Sequence, residues 1–528
     1  MAEIIRRMSG IGGFAGAIVL FAAVTAGAAS GKISGSVTIL AVNDTHGRIM
    51  PLPVGPEDPI AQDVPGEENA GGEIGGFARL VTAVDAIRHE RSGDNVILLH
   101  AGDAFSDDLL GNLTRGEAMI RLMNALDFKF MAFGNHDFDY GLERTRELEK
   151  LAEFPIRGAN VIDEKTGESL FGEPYRVIEA GGLRVGLLAL GYHNTALTTS
   201  RDNVEGVKFV DGVEQARKWL PELRKISDVV IVLSHQGTEM DRVLAREVPG
   251  IDLIVGGHSH ELLTPDPAAN EVPILQSLSE GVSFGEAVIT VANGRVTEVR
   301  GVNHFLRGAD FNEDPHFLEQ IDALRRPHRE RLEEVIAEAA AAIPRRYKEE
   351  SPFDVLAGAI LRQETGAEIA LLPGVGYGVA LQPGPVTREM LYNLLPHDQT
   401  LVTLSLTGRQ IRDILEQSAE NQRPENPADQ VGGLVQTAGM RWRVDLRQPV
   451  GKRIDNVMIG GRPLEPQRRY QVVTHSGMLE GMHRYGTFAR GEDLRPGKQQ
   501  INVLIEEALR RRGRLEAPPM GQVTVVRE

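Results

Sequence analysis

An amide, an imidazole and two carboxylates lie within five consecutive positions after a short apolar run at residues 130–133. They are Asn135, His136, Asp137 and Asp139. Gly134 separates the run from these residues, a pattern typical of a buried strand that ends in a turn. In open α/β sheets, binding and catalytic residues collect at the carboxyl ends of strands. The segment is therefore the first candidate for an active site.

Four more apolar runs in the first half of the chain end in polar residues of similar chemistry. The runs are residues 37–42, 96–99, 229–233 and 251–255, and the residues that follow them are Asp44 and His46, Asp103, His235, and His258 and His260. Asp44 and His46 are two positions apart, so an extended chain points both side chains the same way. The same holds for His258 and His260. All five strands are predicted to deliver polar side chains to one edge.

The donor atoms of these segments match the ligands of a transition-metal centre. They are four imidazoles, two carboxylates and one amide oxygen, from His46, His235, His258, His260, Asp44, Asp103 and Asn135. This set is too large for one ion and suits two, and mixed nitrogen and oxygen donors favour manganese, zinc, iron or cobalt over calcium or magnesium. Two ions about 3.5 to 4 Å apart clamp the attacking and leaving oxygens of a phosphoryl-type displacement. Asp103 is the candidate for the bridging carboxylate.

In chain order, these segments resemble the signature of the calcineurin-like metallophosphoesterases. The strings VNDTHG, GNHDFDYG, LSHQG and GGHSH are similar to those of the 5'-nucleotidase family in particular. Any one of them alone is usually an ordinary turn or a solvated loop, whereas the whole series in this order is specific. The resemblance covers residues 36–305 strongly and extends more loosely to the C-terminus.

The resemblance implies an α/β fold with two domains. Residues 36–305 are expected to form a calcineurin-like metallophosphoesterase domain, a four-layer β-sandwich flanked by helices. Residues 76–89 have the apolar spacing of its first crossover helix. A helical linker is expected at residues 313–343, split near Pro327. A smaller α/β substrate domain of the 5'-nucleotidase C-terminal type is expected at residues 344–528.

Carried over to this sequence, the family pattern assigns each candidate ligand to one of two divalent ions, with manganese or zinc expected. One ion is held by Asp44, His46, Asp103 and His260, and the other by Asp103, Asn135, His235 and His258. The family often has a glutamine at the position of His260, so a nitrogen ligand there extends the pattern. A water activated by the ions is the implied nucleophile.

His136 and Asp139 are the catalytic pair that the resemblance implies. His136 is expected to stabilise the transition state and to help the leaving oxygen depart. A carboxylate on one ring nitrogen fixes the tautomer and supports positive charge on the other, which is the role of Asp139. Asp137 is interpreted as a support for the site, and His100 and His193 as ordinary packing or surface residues.

The chain begins in the way that a secretory signal peptide does. Arg6 and Arg7 precede an apolar stretch at residues 11–24, and an A-x-A cleavage pattern ends at Ala28. The stretch is short for a membrane span of about 20 residues. Residues 1–28 are therefore predicted to be a signal peptide for export to the periplasm or the medium, with an uncleaved anchor as the alternative. The export route, general or twin-arginine, stays open.

The composition restricts both the partners and the means of stabilisation. The chain has 528 residues, a formal net charge of −17 and no cysteine. Disulfides and thiolate metal sites are therefore excluded, and the acidic surface opposes binding of nucleic acid. The expected partner is a small anionic ester, most simply a nucleotide. The sequence indicates no partner protein, and no membrane association after signal cleavage.

The C-terminal part departs from the nucleotidases at positions expected to contact substrate. Gly378 replaces an arginine, and Leu434 and Gly477 replace the two phenylalanines that clamp the base. Stacking on a base is worth about 1 to 3 kcal/mol, so this loss bears on substrate choice. Aromatic residues that could replace the clamp are Trp442, Tyr485 and Phe488. For Trp442, core packing is the simpler interpretation. Candidate phosphate contacts, with surface charge as the simpler interpretation, are Arg345, Arg346 and Arg484.

These features predict a metal-dependent phosphoric monoester hydrolase of the 5'-nucleotidase type. A first alternative is a sulfur-ester hydrolase. The thiosulfohydrolases of bacterial sulfur oxidation share the fold and metal site and lack the clamp, and residues 451–470 resemble theirs, although the Asn-His-Asp motif that they alter is intact here. A second alternative is a non-catalytic metal-binding surface protein, which would have no need of His136 or Asp139.

Overall fold

Each apolar run that precedes a candidate ligand is a strand in the computed structural model of the chain. The structure describes residues 33–55, 57–65, 72–266, 271–377 and 379–527. The predicted signal peptide at residues 1–28 and the predicted substitution at Gly378 lie outside the described residues. Within the described ranges, no helix combines the length and apolarity needed to cross a membrane.

Two six-stranded sheets form the first domain. In spatial order, the first consists of Arg295–Phe305, Ser283–Ala292, Gly35–Val42, Val96–His100, Phe130–Ala132 and Ile156–Arg157. The second consists of Leu262–Leu263, Ile274–Ser277, Leu253–Gly256, Val229–Ser234, Leu183–Leu190 and Tyr175–Ala180. The helices of this domain are Pro59–Asp63, Phe77–Arg91, Leu109–Thr114, Glu117–Ala125, Leu142–Leu151, Gly212–Ile226 and Thr238–Glu247.

Alternation along the strands explains why the sheets stack in the middle and helices lie outside. Ile39 is buried in one core with Ile231 of the other sheet, whereas its neighbour Leu40 is buried with Phe77 of a helix. Successive strand residues face opposite sides of a sheet, so an apolar residue at every position buries both faces. The result is the predicted four-layer sandwich.

Parallel pairing brings the polar strand ends together. In the first sheet, Val96–His100 runs parallel to both Gly35–Val42 and Phe130–Ala132. In the second, Val229–Ser234 runs parallel to Leu253–Gly256. The carboxyl ends of each set therefore meet at one edge, as the sequence predicts.

The helical linker is shorter than predicted. Two helices, Pro315–Arg325 and Arg329–Glu333, flank a single 3₁₀ turn that contains Pro327. From Val335–Ala339 the chain is a strand that pairs with Gly384–Thr387. The predicted helix over residues 335–343 is therefore wrong. The partners that stabilise this strand lie some 50 residues further along the chain, and local helical spacing does not reveal them.

The C-terminal part is a second α/β unit around a five-stranded sheet. Its order is Gln436–Ala438, Ile369–Leu372, Arg469–His475, Thr400–Thr407 and Glu492–Gln500. A four-stranded sheet has the order Arg462–Pro463, Ile454–Ile459, Met440–Asp445 and Val523–Val526. The helices are Pro352–Thr365, Arg388–Leu394, Gly408–Gln422, Ser476–Leu479 and Ile501–Arg512.

Candidate metal centre and catalytic site

The candidate ligands lie in tight turns at the strand ends. Five of them have left-handed backbone angles, with φ of 49° at Asp44, 47° at His46, 55° at Asp103, 74° at His258 and 55° at His260. The chain is therefore not extended at either pair, and the premise that pairs two residues apart point the same way is wrong. Non-glycine residues in this conformation are strained, and such strain concentrates at functional sites.

The first group of candidate ligands is Asp44, His46 and His260, whose donor atoms all lie within 4.8 Å of one another. The Nε2 atoms of His46 and His260 are 3.1 Å apart, and Nε2 of His260 is 3.4 Å from Oδ1 of Asp44. The Nδ1 atom of His46 is 3.0 Å from Oδ2 of Asp107. This contact leaves Nε2 of His46 to face the group.

The second group is Asp103, His235 and His258. The Nε2 atom of His235 is 3.0 Å from Oδ2 of Asp103, and its Nδ1 donates to the carbonyl of Ala101 at 2.7 Å. Asn135 lines the same cavity as Asp103 and His258, and its buried Oδ1 has no hydrogen-bond partner among the described residues. The turns therefore bring all seven predicted ligands to one place.

Divalent metal fits both groups. Two imidazole Nε2 atoms 3.1 Å apart and a buried amide oxygen without a donor are satisfied by a cation that accepts lone pairs. Nitrogen and carboxylate donors without sulfur suit manganese or zinc. The hydrogen bond from Nδ1 of His235 to a backbone carbonyl fixes the ring for binding through Nε2, the usual arrangement behind a metal-bound histidine.

Charge in the groups follows from their burial and proximity. Burial opposes ionisation of Asp44 and Asp103, but the surrounding imidazoles, His235 foremost, outweigh it and hold the pKa of both carboxyls below the usual value. Burial also opposes protonation of His235, yet Asp103 and Asp44 raise its pKa to about 9. Because a histidine ligand must be neutral, an ion that binds here displaces this proton.

Asp137 supports the site through the backbone. Its carboxylate accepts hydrogen bonds from the N–H groups of Asp103 at 3.0 Å, Ala104 at 2.9 Å and Gly134 at 2.8 Å. It thus ties the turn after Val96–His100 to the turn after Phe130–Ala132. Among the described residues, Asp137 is not a member of either group of candidate ligands.

His136 and Asp139 form a hydrogen-bonded pair next to the ligands. The Nδ1 atom of His136 lies 2.7 Å from Oδ2 of Asp139, and the backbone N–H of His136 donates to Oδ1 of Asp103 at 2.7 Å. Thr199 holds the other oxygen of Asp139 at 2.8 Å. Burial disfavours the imidazolium, but Asp107, Asp139 and Asp103 raise the pKa of His136 well above its ordinary value.

Three residues that the sequence analysis did not single out also reach the site. Asp107 is 3.2 Å from Nδ1 of His136 and 2.9 Å from Nε2 of His397, and the Tyr377 hydroxyl is 3.2 Å from the same Nε2. The two consecutive aspartates that end the string DAFSDD, at positions 107 and 108, were a signal for Asp107. His397 and Tyr377 come from the C-terminal part and had no local signal.

A cavity of about 420 Å³ opens between the His136–Asp139 pair and the C-terminal part. Its C-terminal wall includes Tyr347, Tyr377, His397, His475, Met482 and His483. Burial lowers the pKa of His475 to about 3 and that of His483 to about 4. These two imidazoles are therefore neutral hydrogen-bonding groups at physiological pH. A cavity of this size accommodates a small organic ester.

The two positions predicted to have lost the aromatic clamp differ in the structure. Leu434 is fully buried in the core of the C-terminal part and does not line the cavity, so the prediction that residue 434 faces substrate is wrong. Gly477 lies between the lining residues Ser476 and Met482. A Cβ atom at Gly477 would be 1.9 Å from Sδ of Met482, which fills the space of a side chain there.

The other residues weighed from the sequence have structural partners. His100 is buried and 3.1 Å from the Thr45 hydroxyl, and His193 lies 2.8 Å from the carbonyl of Ala428. The three candidate aromatics are all in the core: Trp442, Tyr485 and Phe488.

The candidate arginines are also engaged with protein groups. Arg345 lines the cavity but is buried and paired with Asp354 at 3.1 Å, so interpreting it as surface charge is wrong. Arg346 pairs with Glu349 at 2.5 Å. Arg484 donates to the carbonyl of Asp429 at 3.1 Å.

Comparison with known proteins identifies the family of the chain. The family model for calcineurin-like phosphoesterase matches residues 37–262, and the model for the 5'-nucleotidase C-terminal domain matches residues 333–490. With the sandwich and the aspartate and histidine groups at its edge, these matches define a metal-dependent phosphoesterase, a hydrolase. The chain belongs to the 5'-nucleotidase family of these enzymes.

Individual relatives match most of the chain. A probable 5'-nucleotidase of Treponema pallidum is 26% identical over 85% of this chain and 87% of its own length. The crystal structure of a 5'-nucleotidase precursor from Thermus thermophilus matches with a TM-score of 0.83 at 28% identity, over 93% of this chain and 100% of that one. A sulfate thiohydrolase of Thermus thermophilus matches with a TM-score of 0.84 at 24% identity, over 93% and 97%, and shows a shared fold.

Proposed function

We propose that the chain is an exported phosphomonoester hydrolase of the 5'-nucleotidase type that uses two divalent ions, manganese or zinc. Its substrate is a nucleotide or a related small ester. The observation that carries the proposal is the His136–Asp139 pair, which lies at the wall of the cavity directly beside two groups of metal ligands. Metal retention alone does not need such a pair, so its presence favours turnover over a purely binding role.

The residues grouped at the strand ends would hold two ions. Asp44, His46 and His260 would hold one, His235, His258 and Asn135 would hold the other, and Asp103 would serve both. When bound, the ions supply Lewis acidity, which neutralises phosphate charge and lowers the pKa of water. Asp137 keeps the two ligand turns in register through its backbone contacts.

His136 is proposed to assist departure of the leaving group. Its Nδ1 is engaged by Asp139 at 2.7 Å, so Nε2 is the nitrogen free to act on the ester. The surrounding carboxylates favour the imidazolium. A protonated ring there stabilises the negative charge that develops on the phosphate and donates a proton to the departing oxygen.

The cavity supports a small organic leaving group. Its neutral imidazoles and tyrosine hydroxyls offer hydrogen bonds without positive charge, which suits the hydroxyl-rich part of a nucleoside or sugar. The filled space at Gly477 removes one wall of the usual base clamp. A nucleoside would be bound by contacts other than that clamp.

The same observation at Gly477 favours a second candidate, hydrolysis of a sulfur ester that needs no base clamp. It ranks below the first because the Asn-His-Asp motif is intact.

Export rests on the sequence of residues 1–28. The match to a relative described as a precursor is compatible with it. Comparison of the mature N-terminus in the periplasm or medium with that of the full chain tests it.

Phosphate release from a panel of esters tests the function. The panel contains 5'-nucleotides, a sugar phosphate and 4-nitrophenyl phosphate, with protein reconstituted with manganese and His136→Ala as control. Nucleotide turnover that disappears in the variant supports the proposal. If no phosphate is released from any ester, turnover of a thiosulfonate ester points to the second candidate. If that also fails with metals bound, the chain is a non-catalytic metal-binding protein.

A further inference from the structure

A third polar cluster lies next to the metal ligands and joins the two halves of the chain. It consists of Asp107, His136 and Asp139 from the first domain and His397 from the C-terminal part, and their ligand-type atoms all lie within 4.8 Å of one another. His397 lies between the helix Arg388–Leu394 and the strand Thr400–Thr407. Its side chain is 28% exposed and lines the cavity.

The contacts of His397 are directed at the partners of His136. Its Nε2 is 2.9 Å from Oδ1 of Asp107 and 3.5 Å from Oδ2 of Asp139. The Tyr377 hydroxyl approaches the same atom at 3.2 Å. The rings of His136 and His397 are stacked, with centroids 5.3 Å apart and planes 18° apart.

The two carboxylates face imidazoles: His136 and His397 approach both, and His46 also contacts Asp107. Asp107 and Asp139 are 1% and 15% exposed. In the described part of the chain, no lysine or arginine side chain pairs with either carboxylate. Burial disfavours the charged form of His397, but both carboxylates raise its pKa to about 9. Burying a carboxylate without a compensating charge is costly, so loss of His397 changes the electrostatics around His136.

Hydrogen bonding explains this cluster without a third ion. In the first metal group two imidazole nitrogens face each other at 3.1 Å, a contact that suits a shared cation. Here Nδ1 of His136 and Nε2 of His397 each face carboxylate oxygens at 2.7 and 2.9 Å. An N–H group satisfies each of these contacts.

The segment that carries His397 is anchored on the first domain. Arg48, itself buried, donates to the side-chain and backbone oxygens of Asn393 at 2.9 and 2.7 Å. Asn112 donates to the carbonyl of Pro396 at 2.9 Å. These bonds fix the backbone on the N-terminal side of His397 and hold its ring over His136.

We infer that His397 is a positioning residue for the hydrolysis. Through Asp107, Asp139 and ring stacking, it holds the imidazole of His136 in the orientation that serves the leaving oxygen. The C-terminal part thus completes the catalytic centre as well as forming the wall of the cavity. The expected effect on the rate of hydrolysis rests on the proposed function. The expected effect on the orientation of the His136 ring does not.

A double-mutant cycle tests the kinetic consequence. His397→Ala is expected to lower kcat about 10- to 100-fold, the loss that follows from a misplaced catalytic group, with KM changed little. The loss should be larger for phenyl phosphate than for 4-nitrophenyl phosphate, because the poorer leaving group needs more help.

His397→Gln, which keeps a hydrogen-bond donor, should recover part of the rate. In a His136→Ala background, His397→Ala should have little further effect. The exposed His316→Ala is the matched control.

A structural measurement separates this inference from the proposed function. In crystals of the metal-loaded protein, the His136 ring should keep one orientation in the wild type and lose it in His397→Ala, whatever ester the enzyme cleaves. An unchanged ring, additive losses in the cycle, or equal losses for both leaving groups would overturn the inference. Loss of one bound ion on His397→Ala or His397→Gln would instead assign the cluster as a metal site. A wild type that releases no phosphate contradicts the proposed function alone.

Discussion

The surroundings of Asn135 are the most direct single-residue indication of a metal site. Its side-chain oxygen is buried and has no donor among the described residues. A buried polar atom without a partner costs about 1 to 3 kcal/mol, and a cation removes that cost. His46 and His260, with facing nitrogens 3.1 Å apart, present the same problem in the other group. Metal binding and stability are therefore linked at single residues.

Asn135→Ala is expected to weaken binding of one ion by at least about 10-fold. Removal of a proposed ligand should weaken metal binding at least as much as removal of a contact that only supports a ligand. Metal content per chain after dialysis against graded chelator measures this. Asn95→Ala is the control, because this half-buried asparagine lies outside the candidate site and its side-chain amide donates to the carbonyl of Arg91. Equal metal retention in both variants would exclude Asn135 as a ligand.

Two glycines at the ends of neighbouring strands, Gly102 and Gly134, allow the backbone geometry that places the candidate ligands. Gly102 has a φ of +101°, which favours glycine. At Gly134, a Cβ atom would lie 2.1 Å from Oδ1 and 2.4 Å from the backbone nitrogen of Asp103. The strands approach so closely here that no side chain fits.

Gly134→Ala is expected to displace Asp103 and to lower metal content and kcat together. Gly93→Ala, where a Cβ atom meets nothing within 4 Å, is the matched control. Metal analysis and steady-state kinetics on both proteins check this. A Gly134→Ala enzyme with full metal content and activity would contradict the geometry.

Asp137 connects two strand-end turns, so its removal should affect folding more than ligand chemistry. Asp137→Ala leaves three backbone N–H groups without their acceptor, and we expect a loss of about 3 kcal/mol in the free energy of unfolding. Urea unfolding of the metal-free protein measures it. Asp163→Ala, which removes an acceptor from exposed N–H groups, should cost much less. Similar losses would contradict the supporting role.

The strands and the positions of the candidate ligands along the chain were predictable because the signal is local. A short apolar run rich in β-branched residues, such as residues 229–233, favours a buried strand, and parallel neighbours end at one edge. The left-handed backbone at Asp44 and His258 was not predictable from spacing, because aspartate and histidine at these positions are equally compatible with an extended chain. The linker was predicted as helix to residue 343, but pairing with Gly384–Thr387 converts Val335–Ala339 to a strand.

At the scale of the whole molecule, the site is shared between distant parts of the chain. Asp107 and His397 are 2.9 Å apart in space and far apart in sequence. A single sequence contains no signal for such a contact, because it depends on how the C-terminal part docks. The same reason explains why Leu434 was wrongly predicted to face substrate. Sequence patterns located the candidate metal ligands but not the wall of the cavity.

A buried contact between the two parts predicts a pH effect on stability. Asp58 accepts a hydrogen bond from Gln382 of the C-terminal part, and burial raises its pKa from 3.8 to about 7. Below about pH 4 the carboxyl is neutral in both states. Between pH 4 and 7 it ionises only in the unfolded chain, so stability falls as pH rises and levels off above pH 7.

Asp58→Asn should remove this dependence and increase the free energy of unfolding at pH 8 by up to about 4 kcal/mol, from about 1.4 kcal/mol per pKa unit. At pH 4 the variant and wild type should be close. Urea unfolding at both values, with the exposed Asp94→Asn as control, measures it. A difference that is the same at pH 4 and pH 8 would show that Asp58 does not titrate in this window.

The most direct test of the central claim is a metal titration followed by activity. Metal-free protein is titrated with manganese while bound ions are counted and phosphate release is measured. The account predicts no activity without metal, a rise with added ion, and a plateau at two ions per chain. Full activity without metal, or a plateau at one bound ion with no further gain, would contradict a two-metal phosphoesterase centre at these strand ends.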